Sequence, residues 1–164
     1  MLGPSGPRDW IEFLGLLNEH GVRYLIAGGQ AVIFHVGPRA TADLDLLIGP
    51  EPRNVGRLRS ALRVFMGDEP ASKAIAMYKS HRILMIGAPP WKIDLTNKMD
   101  GMSFAAAWRG RVLTHFAEVP AAVVGLNEMI RAKRAVVKLN RPWPKGSTDS
   151  GDLQALLRLK ARCR

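Results

Sequence analysis

The sequence predicts a mixed α/β domain of the α+β class, with a central mixed β-sheet flanked by helices and a helical C-terminal segment. Three observations carry this expectation. Amphipathic stretches at helical spacing alternate with short apolar runs from Asp9 to Phe65. Several β-like runs gather in the middle of the chain, and two periodic helix patterns close it. At 164 residues, 47% of them apolar, the chain is sized for a single domain with its own core. We place that core at about 9–124 and a basic helical tail at about 125–164.

From Asp9 to His20 the apolar residues Trp10, Ile11, Phe13, Leu14, Leu16 and Leu17 recur at steps of three and four, with Asp9 available as a cap, so a helix is expected. Gly21 ends it, and Val22–Ala27 has the length and residue types of a buried strand. Gly28-Gly29 breaks that strand and opens a helix over Gln30–Val36, which Gly37-Pro38 stops. Ala42–Gly49 reads as a second strand. Glu51–Phe65, with Leu58, Leu62 and Phe65 on one face, reads as a second long helix. Ile75–Tyr78, Arg82–Ile86 and Lys92–Thr96 suggest a meander of strands broken by Gly87 and Pro89-Pro90. A helical turn over Ser103–Trp108 and a strand near Arg111–Phe116 follow. Leu126–Leu139 is a clear helix, Asn140–Ser150 a loop, and Asp152–Ala161 a closing basic helix.

Composition excludes several function classes. It is not that of a disordered or fibrous chain. No apolar run approaches the roughly 20 residues that span a bilayer, so no membrane partner is expected. The N-terminus lacks the pattern of a secretory signal, and a cytoplasmic location is the expectation. The single cysteine, Cys163, leaves no internal disulfide and sets redox chemistry aside. The net charge is +10, of which Glu128–Arg164 carries +7 from ten basic and three acidic residues. That tail either meets a polyanion, such as nucleotide phosphates or a nucleic-acid backbone, or is a solvated helix surface.

The chemistry concentrates between Gly28 and Asp45. Two residues without a β-carbon let the backbone approach a ligand closely, and a helix starting there aims free N–H groups and its positive end at whatever sits over the turn. Phosphate suits that position. Beyond the glycine pair, Asp43 and Asp45 share one face of a strand, because side chains alternate. Two carboxylates so placed repel unless a cation lies between them, and hard oxygen donors suit magnesium. Asp94, on the expected strand WKIDLT, would complete a three-carboxylate cluster able to hold two metal ions about 3.5–4 Å apart.

These residues carry a resemblance. The run YLIAGGQAVIFHVGPRATADLDLLI resembles the core motif of the DNA-polymerase-β-like nucleotidyltransferase superfamily: a Gly-Gly pair, a short helix, then Asp-x-Asp on a strand. More closely, it resembles the small bacterial nucleotidyltransferases of the AbiEii/MNT-like toxin–antitoxin group, through Arg39, Thr41, Asp43 and Asp45. The likeness continues through KIDLTNKMDGMSFAAAW, VVGLNEMIRAKRAVV and DSGDL. It departs where Trp-Pro-Lys-Gly-Ser-Thr is inserted between Pro142 and Asp149.

The resemblance implies a nucleotidyltransferase fold and a magnesium-dependent transfer of a nucleoside monophosphate from a nucleoside triphosphate such as ATP to a hydroxyl. The acceptor would be a small molecule, a partner protein or an RNA end, and a cognate toxin or antitoxin is a further possible partner. Gly28, Gly29, Arg39, Thr41 and Lys133 would bind the nucleotide. Asp43 and Asp45 would hold both metals, while Asp94 would hold one and help deprotonate the acceptor.

Other readings of the same residues stand beside these. Arg39 either touches substrate or pins the turn by pairing with Asp43. Asp94 is either a ligand or an acid paired with Lys92. Lys133 either neutralises the triphosphate or lies on the polar face of its helix. Asp149 and Asp152 read equally as helix N-caps and as ligands. The whole chain could also be a non-catalytic module on the same fold that binds nucleic acid or neutralises a partner.

Overall fold

The structure is a computed structural model that describes residues 8–79, 83–88, 91–139 and 149–163. Chain order is α1 (Arg8–Glu19), β1 (Tyr24–Ile26), α2 (Gly28–Val36), β2 (Asp43–Ile48), α3 (Pro52–Met66), α4 (Asp68–Lys79), β3 (Leu84–Ala88), β4 (Trp91–Thr96), α5 (Phe104–Arg109), β5 (Val112–Phe116), β6 (Val119–Val123), α6 (Leu126–Leu139) and α7 (Asp149–Arg162). Among the described residues the strands form one six-stranded sheet, ordered β3-β4-β2-β1-β6-β5. It is mixed: β1 pairs antiparallel with β2 and parallel with β6, and β2 pairs parallel with β4. The expected mixed sheet flanked by helices is therefore the architecture found.

Most elements follow from local sequence. α1 buries Trp10, Phe13, Leu14 and Leu17, the stripe its spacing foretold. Asp9 lies inside its first turn rather than capping it, and there complements the positive helix end. α3 starts at Pro52, whose missing N–H costs nothing at a helix start. Ser103 caps α5 by accepting from the Ala106 N–H at 3.2 Å.

Two expectations fail in the middle of the chain. Ile75–Tyr78 is not a strand but the end of α4, where Ala71, Ala74, Ile75 and Tyr78 are buried at helical spacing. The apolar run was too short for its period to be told apart locally. The meander is also only half present. β3 and β4 form an antiparallel pair, but β4 then lies parallel to β2 across the α3–α4 crossover. β6 was not foreseen, because Pro120 and the turn at Ala117, with its φ of +51°, break its pattern. Residues 140–148, which include the inserted segment 143–148 and with it Trp143, lie outside the described residues, as does His81.

The core is continuous through the sheet. Leu44, Leu46, Leu25, Ile26 and Leu95 are fully enclosed, each contributing roughly 1.5–3 kcal/mol by its burial. α1 packs on α3 and α3 on α4, while α2 packs against α6 and α7. What matters for the site is the β2–β4 pairing, which sets Asp45 directly beside Asp94 and Asp43 beside Lys92.

Candidate active site

The site begins where β1 turns into α2. Gly28 and Gly29 are the first two residues of the helix, and Gly28 has a φ of +54°. A β-carbon on Gly28 would overlap the Asp45 carboxylate, and one on Gly29 would overlap the Thr41 side chain and stand 3.1 Å from the Arg39 guanidinium. The pair is therefore required by close packing of the Arg39–Asp45 segment on the helix start. The Gly29 N–H, at the positive end of the helix, favours the charged form of the Asp45 carboxylate.

Asp43, Asp45 and Asp94 come together on two adjacent parallel strands. The Lys92 ammonium bridges two of them, 3.2 Å from Asp43 Oδ2 and 3.0 Å from Asp94 Oδ2. Asp94 Oδ1 is buried and has no hydrogen-bond partner among the described residues. Burial pushes the Asp45 carboxyl from 3.8 up to about 6. The charges of Asp94 and Asp43 add to the rise, against the opposing pull of the Gly29 N–H and Lys92. Burial alone would lower Lys92, but its hydrogen bonds to Asp94 and Asp43 and their charges hold it above its ordinary value.

Three carboxylates against one ammonium leave the cluster with excess negative charge, and one buried oxygen without a partner among the described residues. Hard oxygen donors with that charge fit magnesium in their chemistry. Among the described residues, however, no three carboxylate, imidazole or thiol groups are arranged to grip an ion as they stand. The cation already among these acids is Lys92. Its pairing with Asp94 was legible in outline, since residues two apart on a strand share a face. Its bridge across to Asp43 depends on a strand register that no local pattern specifies.

A second charged cluster lies beside the glycine turn. Arg39 Nη2 is 3.0 Å from Asp152 Oδ2, and Lys133 Nζ contacts Asp152 Oδ2 at 2.8 Å and also Asp149. Asp152 and Lys133 are only 4% and 8% exposed. Arg39 thus does pin the turn, but to Asp152 on α7 and not to Asp43. Lys133 is neither on a solvated helix face nor free to meet a triphosphate as it stands. Asp149 and Asp152, in the first turn of α7, act here as its counter-charges. Thr41 packs on Gly29. His35 lies apart from both clusters, its ring hydrogen-bonded to the Val124 carbonyl at 2.8 Å.

No protein-family model and no curated protein sequence matches the chain. Solved structures do. An antigenic nucleotidyltransferase-like protein from Paracoccidioides brasiliensis superposes with a TM-score of 0.54 at 14% identity, over 92% of this chain and 75% of that one. The solution structure of the antibiotic-resistance factor ANT(2'')-Ia gives 0.54 at 16% identity, over 96% and 90%. The crystal structure of ANT(2'')-Ia in complex with adenylyl-2''-tobramycin gives 0.52 at 13% identity, over 97% and 100%. With the sheet order and the crossover already described, these likenesses establish that the chain has the nucleotidyltransferase fold.

Proposed function

We propose that this protein is a magnesium-dependent nucleotidyltransferase that moves a nucleoside monophosphate from a nucleoside triphosphate to a hydroxyl acceptor. The observation that carries this reading is the register of β2 and β4, which sets Asp45 beside Asp94 with Asp43 two residues along, against the Gly28-Gly29 helix start. A glycine turn over clustered carboxylates is a place to bind a triphosphate with its cations. The fold likeness to ANT(2'')-Ia, solved with an adenylylated antibiotic, supports the same reaction class.

The residues divide the work by position. Asp43, Asp45 and Asp94 would hold magnesium, which when bound neutralises triphosphate charge and charge developing on the reacting oxygens. The acceptor oxygen bonds to the α-phosphorus, the bond to the bridging oxygen breaks, and pyrophosphate leaves. Asp94 would accept the proton of the attacking hydroxyl. Gly28 and Gly29 would bind the phosphates at the positive end of the helix they open. Arg39 and Lys133 act from beneath, Arg39 by fixing the segment that carries Asp43 and Asp45. Positioning and charge neutralisation supply most of the rate.

The experiment is incubation with each labelled nucleoside triphosphate, magnesium and three kinds of acceptor: small hydroxylated molecules, RNA ends and co-expressed partner proteins. The last two test the toxin–antitoxin side of the proposal. Transfer that Asp45→Asn abolishes is the expected result; none from the unaltered chain across all three would overturn it. One observation favours a second reading, a non-catalytic module that binds nucleic acid: Lys92 stands among the acids where a cation would be needed. Salt-sensitive RNA or DNA binding, with no transfer and no effect of Asp45→Asn, is its signature.

A further inference from the structure

Lys92 has two kinds of neighbour across the sheet. On the β2 side it faces Asp43, and on the β3 side its register partner is Gly87. Cross-strand partners share a face, so one flank of the lysine carries an acid and the other carries no side chain at all. Its ammonium joins Asp43 to Asp94 across two strands, with the Lys92 side chain itself 25% exposed and Asp94 16%. An unbranched four-carbon stem with a quarter of its side chain exposed can swing its ammonium toward solvent without disturbing the strand.

We propose that Lys92 is a built-in counter-cation: it holds Asp43 and Asp94 together while the site is metal-free, and the divalent ion displaces its ammonium toward solvent. The inference rests on the transferase reading above and adds a regulatory property to that site. Loading then has a threshold, because the ion must supply more to the acids than the lysine did. Any ligand favouring the loaded state, a triphosphate included, lowers that threshold by linkage. It also reconciles a fold suited to phosphoryl chemistry with acids that, as they stand, grip no ion.

The test is equilibrium binding of Mn2+ to the full chain, read by the electron-spin resonance of free Mn2+, with no nucleotide present. Lys92→Met should bind Mn2+ at least about tenfold more tightly than the unaltered protein, and Asp45→Asn should abolish that binding in both backgrounds. In chelator, Lys92→Met should melt at a lower temperature than the unaltered protein, and Mn2+ should restore it. Lys92→Arg, which keeps a cation, should bind as weakly as the unaltered chain. Should Lys92→Met not fold, Lys92→Gln carries the same comparison. Asp45-dependent binding that is no tighter in the Lys92 variants overturns this proposal alone. Absence of Asp45-dependent binding in every variant overturns the metal reading and this proposal together.

Discussion

The Asp45 carboxylate occupies the space that a β-carbon on residue 28 would need. The strand acid and the helix-start glycine are thus one packing unit, and Gly28 also takes a backbone angle, φ +54°, that disfavours other residues. Gly28→Ala should therefore cost about 2–4 kcal/mol, from left-handed strain together with displacement of Asp45. Urea denaturation checks the stability. Loss of transfer in the fraction that remains folded checks the displacement.

Asp45 also makes stability depend on pH in a stated direction. Its carboxyl is raised from 3.8 to about 6, so between those values the folded state holds a proton that the unfolded state has released. Stability therefore falls as pH rises through this window, and above about pH 6 the cost of the buried charge is complete. Asp45→Asn removes that cost while leaving an oxygen able to accept from the Gly29 N–H. In chelator it should stabilise the protein by about 1–3 kcal/mol at pH 8, with the gain vanishing below about pH 4. Thermal melts across that range decide it; a gain that persists at pH 3.5 would contradict the assignment.

The Arg39–Asp152–Lys133 cluster should behave as a buried network. Asp152→Ala leaves buried Lys133 and half-buried Arg39 short of a counter-charge and should cost about 3–5 kcal/mol. Arg131→Ala breaks a pair with Glu128 whose arginine is 63% exposed, and should change stability by less than about 0.5 kcal/mol. Chemical denaturation of both variants, side by side, separates the two kinds of ion pair.

Two leucines make a further contrast. Leu46, fully enclosed on β2, should cost about 2–5 kcal/mol when changed to Ala. Leu113, 73% exposed on the edge strand β5, should be close to neutral when changed to Ser. Parallel melting curves measure both.

What the sequence determined by itself is whatever acts within a few residues. The stripe of α1, the glycine turn into α2, the shared face of Asp43 and Asp45 on β2 and the span of α6 all follow from local spacing and backbone freedom. The tertiary structure decided what depends on distant partners. Ile75–Tyr78 became helix because α4 buries one side of it, an outcome a short apolar run does not encode. Lys133 became a buried ion because α7 brings Asp149 and Asp152 onto it. Lys92 came to stand between Asp43 and Asp94 because β4 lies parallel to β2 in one register. A one-residue slip would turn every one of those side chains to the opposite face, and pairing between segments so far apart in the chain is fixed only when the whole core closes.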